Sequence, residues 1–157
     1  MKMGTIAVAC CALVAVGAAQ GQDAPPKDTI FARKILMDTV NNNMDELEGM
    51  IASGKDLDLK EAREHADTIS VMLMAFPHLF PPATNQWNPD VTRDPGSDTY
   101  AAPTIWTAFA DFYGKATNAS KLAYRASRAK TEEEFKGFVT ELRGACDGCH
   151  AAYQKGE

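Results

Sequence analysis

Apolar residues recur every seven positions in four long stretches of this sequence, and no stretch alternates as a half-buried strand would. In the first, Ile30, Met37, Met44 and Ile51 repeat at seven, with Val40 and Leu47 interleaved. Asp28 caps its start, and the segment runs to Ser53 before Gly54. The second extends from Leu59 to Phe76, with Leu59, Ala66 and Leu73 on one row and Ala62, Ile69 and Phe76 on the next. Asp58 and Glu61 form a capping-box pattern before it, and Pro77, Pro81 and Pro82 end it. The third opens at Pro103, a favourable first-turn residue, with Ile105, Phe109, Phe112, Ala116 and Ala123 marking its inner face. The fourth opens at Thr131, with Glu134 completing another capping box, and carries Phe135, Val139, Leu142, Cys146, Cys149 and Tyr153 as its stripe. Four amphipathic helices of similar length predict an all-α chain folded as an antiparallel four-helix bundle.

The N-terminal residues have a different character. Lys2 gives a positive start, Ile6 to Val16 is apolar, and Gly17, Ala18 and Ala19 are small. This is the layout of a secretory signal peptide, too short to span a bilayer as a helix. Cleavage is expected after Ala19, which leaves residues 20–157 as one exported domain with no stable membrane insertion. The full chain has a net charge of −5, and losing Lys2 makes the mature chain −6. Such an acidic chain offers no domain-wide basic surface for a phosphate backbone, so nucleic acid is not an expected partner.

Cleavage also removes Cys10 and Cys11. Only Cys146 and Cys149 remain, within Cys146-Asp147-Gly148-Cys149-His150. On a helix, residues at i, i+3 and i+4 share a face. Two thiols so placed can add to the two vinyl groups of a haem, and the next imidazole can reach the iron from the same side. C-x-x-C-H is the attachment signature of haem c. The rival readings fit less well. A thioredoxin-like dithiol belongs in a βαβ setting, and no strand pattern is present. A zinc site would need a further ligand from His65, His78 or a carboxylate, at no recognisable spacing. A disulfide between these two positions of a regular helix would close a small strained loop.

The first helix adds Arg33, on the stripe that Val40 and Leu47 continue. An inward-facing Arg needs an anion, which a haem propionate would supply; otherwise it snorkels to the rim or pairs with an acid. Met37, one turn on, is either core filler or a thioether that reaches the iron opposite His150. Phe76, Phe80, Trp106 and Phe109 are core residues or walls for the porphyrin. His65 and His78 are expected at the surface. The polar loop of roughly twenty residues from Pro81 to Ala102 is long for a compact domain, and such loops are often functional.

With these residues in place, the chain resembles the class II cytochromes c, which comprise the cytochromes c′ and their low-spin relatives. The likeness lies in Arg33-Lys34-Ile35-Leu36-Met37, in Leu79-Phe80-Pro81-Pro82-Ala83-Thr84, in Pro103-Thr104-Ile105-Trp106, and in the C-terminal position of the Cys-x-x-Cys-His motif. Class I cytochromes c carry that motif near the N-terminus. The resemblance implies one covalent haem c, with thioethers at Cys146 and Cys149 and His150 as proximal ligand. It implies that Arg33 contacts a propionate, with Lys34 beside it at the haem edge, and that Met37 occupies the distal position. The segment between Asn85 and Ala101 does not map onto the family.

The expectation is a periplasmic electron carrier rather than an enzyme, with His150 and Met37 as the iron's axial ligands. A thioether ligand favours Fe(II) and raises the potential. The alternative is a five-coordinate, high-spin cytochrome c′ that binds NO or CO. Partners would be redox proteins, basic ones to suit an acidic chain, and the chain itself would be a monomer or homodimer.

Overall fold

The structure, a computed structural model, describes residues 24–155 except 53, 55, 91, 93 and 95–97. The expected signal peptide at residues 1–19, Ser53 and part of the 85–101 loop lie outside the described residues. Helix α1 spans Pro26–Ala52, α2 spans Leu59–Ala75, α3 is a single turn at Thr104–Thr107, α4 spans Phe109–Ser127, and α5 spans Glu132–Tyr153. Helices α1, α2, α4 and α5 form the antiparallel bundle. Among the described residues the one departure from helix and loop is an isolated bridge between Ala101 and Gln154.

The starts of α2 and α5 follow from their capping residues, whereas α1 begins at Pro26 and so holds Asp28 in its first turn rather than as its cap. Asp58 accepts hydrogen bonds from the backbone N–H groups of Lys60 (3.0 Å) and Glu61 (3.1 Å). Thr131 Oγ1 accepts from the Glu134 N–H (3.2 Å), while Glu134 Oε2 accepts from the Lys130 N–H (2.8 Å). Each satisfies donors that a helix start leaves without intrahelical partners. Gly54, at φ 69°, takes the left-handed conformation that ends α1 at little steric cost.

Two seams of unequal closeness build the interior. Helices α2 and α4 meet through Ala62, Ala66, Ala119, Ala123 and Ala126, all buried. Small side chains let two backbones approach closely, and Ser120 Oγ uses that approach to donate to the Ser70 carbonyl at 2.9 Å. Helix α1 packs on α2, and α5 packs on α4. Helices α1 and α5 pack on each other only weakly. Arg143 Nε on α5 donates to Glu48 Oε1 on α1 at 2.6 Å. The core therefore divides. A large cluster centres on Met44, Leu47, Ile69, Phe135 and Leu142, and a smaller one holds Phe80, Ile105, Phe112 and Tyr153.

The third helix differs from the expectation. Its first turn is separated from the rest at Ala108, whose φ of −124° and ψ of 37° leave the helical region. The break changes the register, so Phe109 is not an inner-face residue. It lies 41% exposed at the surface beside Tyr113. Trp106 Nε1 ties the preceding turn to the Phe80 carbonyl at 3.1 Å. The second helix ends one residue early, and Phe76 begins a 3₁₀ turn through Leu79.

The alanine seam leaves no room for larger side chains. Ala123→Leu should lower the stability read by urea unfolding by about 1–3 kcal/mol, the usual cost of overpacking a tight core.

Candidate functional site

The gap between α1 and α5 is a cavity of about 690 Å³, within the size range of cofactor pockets. Leu73, Phe112, Ala116 and Ala119 from α2 and α4 line it as well. Arg33, Lys34 and Met37 line its α1 side, and Cys146, Cys149 and His150 its α5 side. All six residues singled out in the sequence thus face one space.

The two thiols are free and half-buried. Cys146 packs on the larger core cluster and Cys149 on the smaller, so the motif straddles the division between them. Burial raises both thiol pKa values. That disfavours the thiolate on which dithiol redox chemistry depends. Among the described residues no group of three or more His, Cys, Asp or Glu side chains is placed to hold a metal ion. His150 stands at the cavity edge with much of its surface open. Desolvation by the flanking protein lowers its pKa, against the opposing charge of Asp147 and with a smaller push from Arg143, and favours the neutral imidazole that can bind a metal.

Arg33 does not snorkel. It is 4% exposed, and among the described residues no carboxylate lies at ion-pair distance from it. Its Nη1 donates to Thr84 Oγ1 at 3.0 Å and to the Leu79 carbonyl at 3.5 Å. Its Nη2 donates to the Thr84 carbonyl at 3.4 Å and to Thr99 Oγ1. The guanidinium lies 4.5 Å from the centre of the Phe80 ring. Burial lowers its pKa to about 10, which still leaves it a cation at neutral pH. A buried cation held by neutral oxygens alone is matched to an anion that enters the cavity.

Thr99 has no motif or periodic position that marks it in the sequence. The loop that carries it does not stand away from the bundle: its last residues run along the cavity. Lys34 Nζ donates to the Asp98 carbonyl at 2.9 Å. The Ala102 N–H donates to the Tyr153 carbonyl (2.9 Å), and the Lys155 N–H to the Tyr100 carbonyl (2.8 Å). Thr84 belonged to a quoted motif but carried no assigned role; the structure gives it one. The aromatic expectation divides. Phe76 and Phe80 line the cavity, joined by Phe112 and Tyr153, whereas Trp106 and Phe109 do not. His65 is half-buried rather than exposed, because its Nδ1 hydrogen-bonds Asn43 Oδ1 at 2.8 Å. His78 is exposed, against Tyr113.

The charge of the cavity lining opposes that of the chain. Arg33, Lys34, Lys115 and Arg143 face it, with Asp38 the only carboxylate in the lining among the described residues.

The cytochrome c′ family model matches residues 28–154, which is most of the chain. The chain belongs to the cytochrome c′ family. It is 29% identical over 126 residues to cytochrome c-556 of Agrobacterium tumefaciens, covering 78% of this chain and 93% of that one. It is 26% identical over 133 residues to cytochrome c′ of Rubrivivax gelatinosus, covering 83% and 96%. The crystal structure of the Rubrivivax protein superposes with a TM-score of 0.71 at 25% identity, over 85% of this chain and all of that one. A nitric oxide complex of a cytochrome c′ variant from Alcaligenes xylosoxidans also gives a TM-score of 0.71, at 16% identity over 86% of this chain and all of that one. As a class II cytochrome c, the chain carries one covalent haem c. The cavity fits that group: it presents two free thiols on one helix face, an adjacent imidazole, and a buried cation with no anion of its own.

Thr84 Oγ1 accepts from Arg33 and donates to the Pro81 carbonyl at 2.8 Å, with no side-chain exposure to water. Thr84→Val leaves both partners short of a hydrogen bond and should cost about 1–3 kcal/mol in urea unfolding, with Thr84→Ser recovering much of the loss.

Proposed function

We propose that this chain is a periplasmic haem-c cytochrome with a five-coordinate iron, in which Met37 covers the distal position without binding the metal. NO or CO would take that position, alongside one-electron exchange with redox proteins. The observation that carries this reading is the packing of Met37. Its half-buried side chain lines the cavity and also rests on the large apolar cluster, as a piece of core wall. The cytochromes c′ among the solved neighbours, one of them a nitric oxide complex, support the same choice. They favour it over the six-coordinate arrangement expected from the sequence.

The residues divide the work. Cys146 and Cys149 would hold the porphyrin through thioether bonds, and His150 would supply the proximal nitrogen. Arg33 would pair with a propionate, with Lys34 beside it. Bound haem supplies an iron that exchanges one electron and accepts a small ligand. Phe76, Phe80, Phe112 and Leu73 give the cavity an apolar wall, which strengthens the charges inside relative to bulk water. The arrangement calls for no bond-making step on a substrate. The histidines outside the motif give no acid–base partner to the cavity: neither His65 nor His78 lines it.

Export is supported by the layout of residues 1–19 and by the motif itself. Among the described residues no helix is long and apolar enough to cross a membrane. The chain would act as a monomer or homodimer; one related cytochrome c′ structure is described as having a ligand-controlled dimer dissociation.

One specific observation favours a second reading. Met37 and His150 line the same cavity from opposite helices, so the thioether is available as a sixth ligand. Optical spectra of the oxidised, reduced and CO-treated reduced protein, with and without Met37→Ala, separate the two. The proposal expects a high-spin spectrum as isolated, CO uptake without displacement of a ligand, and the same spin state in the variant. A low-spin spectrum that turns high-spin in Met37→Ala would establish Met37 as the ligand instead.

A further inference from the structure

The final residues of the long loop behave as a strap between two walls of the cavity. On the α5 side the strap is clasped by the bridge between Ala101 and Gln154, by the Ala102 N–H on the Tyr153 carbonyl, and by the Lys155 N–H on the Tyr100 carbonyl. These anchors lie three to five residues beyond His150. On the α1 side, Thr99 Oγ1 accepts from Arg33 Nη2, and the Asp98 carbonyl accepts from Lys34 Nζ. Thr99 is 4% exposed, and its hydroxyl oxygen also accepts from the Ala101 N–H at 3.0 Å, which fixes its orientation.

Of the four oxygens that hold the Arg33 guanidinium, three come from the chain around Leu79 to Thr84. Only Thr99 comes from the strap. We propose that Thr99 is a positioning residue for the haem site: from a strap fastened to the end of the haem-bearing helix, its hydroxyl holds the buried Arg33 charge in the cavity. This inference rests on the covalent-haem reading above and adds a route by which the end of α5 and Arg33 are linked outside the porphyrin. A cation fixed in a low-dielectric cavity favours the reduced iron, which carries one positive charge fewer. Releasing one of its restraints lets the guanidinium drift toward water, where its field is screened.

The test is the midpoint reduction potential of the holoprotein, with the variants Thr99→Val and Thr99→Ser, and with Thr99→Val combined with Arg33→Gln. The expected results are a lower potential for Thr99→Val, a potential near wild type for Thr99→Ser, and no further shift when the valine is added to the Arg33→Gln protein. That pattern shows action through Arg33, because a double-mutant cycle isolates the coupled part. An unchanged potential in Thr99→Val, or the same shift with and without Arg33, would overturn the proposal and make Thr99 a loop residue only. If the valine variant yields no holoprotein, Thr99→Ala deletes the hydroxyl without a new branch and is read in the same way. An unmoved potential with an intact haem spectrum sinks this inference and spares the functional reading; a wild-type protein that takes up no haem overturns both.

Discussion

The close approach of α2 and α4 through alanines governs the rest of this molecule. A four-helix bundle whose four seams were equally tight would have a continuous core and no room inside. Here the small side chains at Ala62, Ala66, Ala119 and Ala123 draw the middle pair together. The outer pair, α1 and α5, is left joined mainly through its neighbours. The space between them is therefore a product of where the sequence puts its bulk. Large side chains gather at Phe135, Leu142 and Leu47 at one end and at Phe80, Phe112 and Tyr153 at the other. The two cysteines sit where those clusters divide.

Within that space the Arg33 charge is the most demanding feature. Burying a guanidinium against neutral oxygens and an aromatic face is costly unless an anion joins it. The chain has gathered two threonines, two carbonyls and a ring around it from two separate segments, Leu79 to Thr84 and the strap at Thr99. Such investment in holding one cation at a cavity wall makes sense if a negatively charged group enters the cavity. The same lining carries an excess of cations in an otherwise acidic protein.

Much of this was legible because helices write their packing into period. Val40, Met44, Leu47, Ala66, Ile69, Val139 and Leu142 occupy the core as the heptad rows require. The caps at Asp58 and Thr131 fall where the sequence puts them. The motif at 146–150 and the stripe positions of Arg33 and Met37, with Lys34 added by the family resemblance, point to residues that line one cavity. What period does not encode was missed. Phe109 fits the inner row only if the third helix is continuous, and the break at Ala108 turns it outward. Thr99 has no periodic signature, since its role depends on where a polar loop returns in space. His65 gained its cover from Asn43 on a different helix, a cross-helix contact that a one-helix reading does not see. The coordination at Met37 was open for a related reason: core filler and axial ligand occupy the same stripe position.

The most direct test of the central claim is the intact mass of the denatured, exported protein made where the haem-attachment machinery is active, followed by peptide mapping. The account predicts a chain that begins at residue 20 and is heavier by one haem, with the added mass retained on the peptide that contains Cys146 and Cys149. A colourless protein with the mass of bare polypeptide, or a haem lost on denaturation, would contradict it.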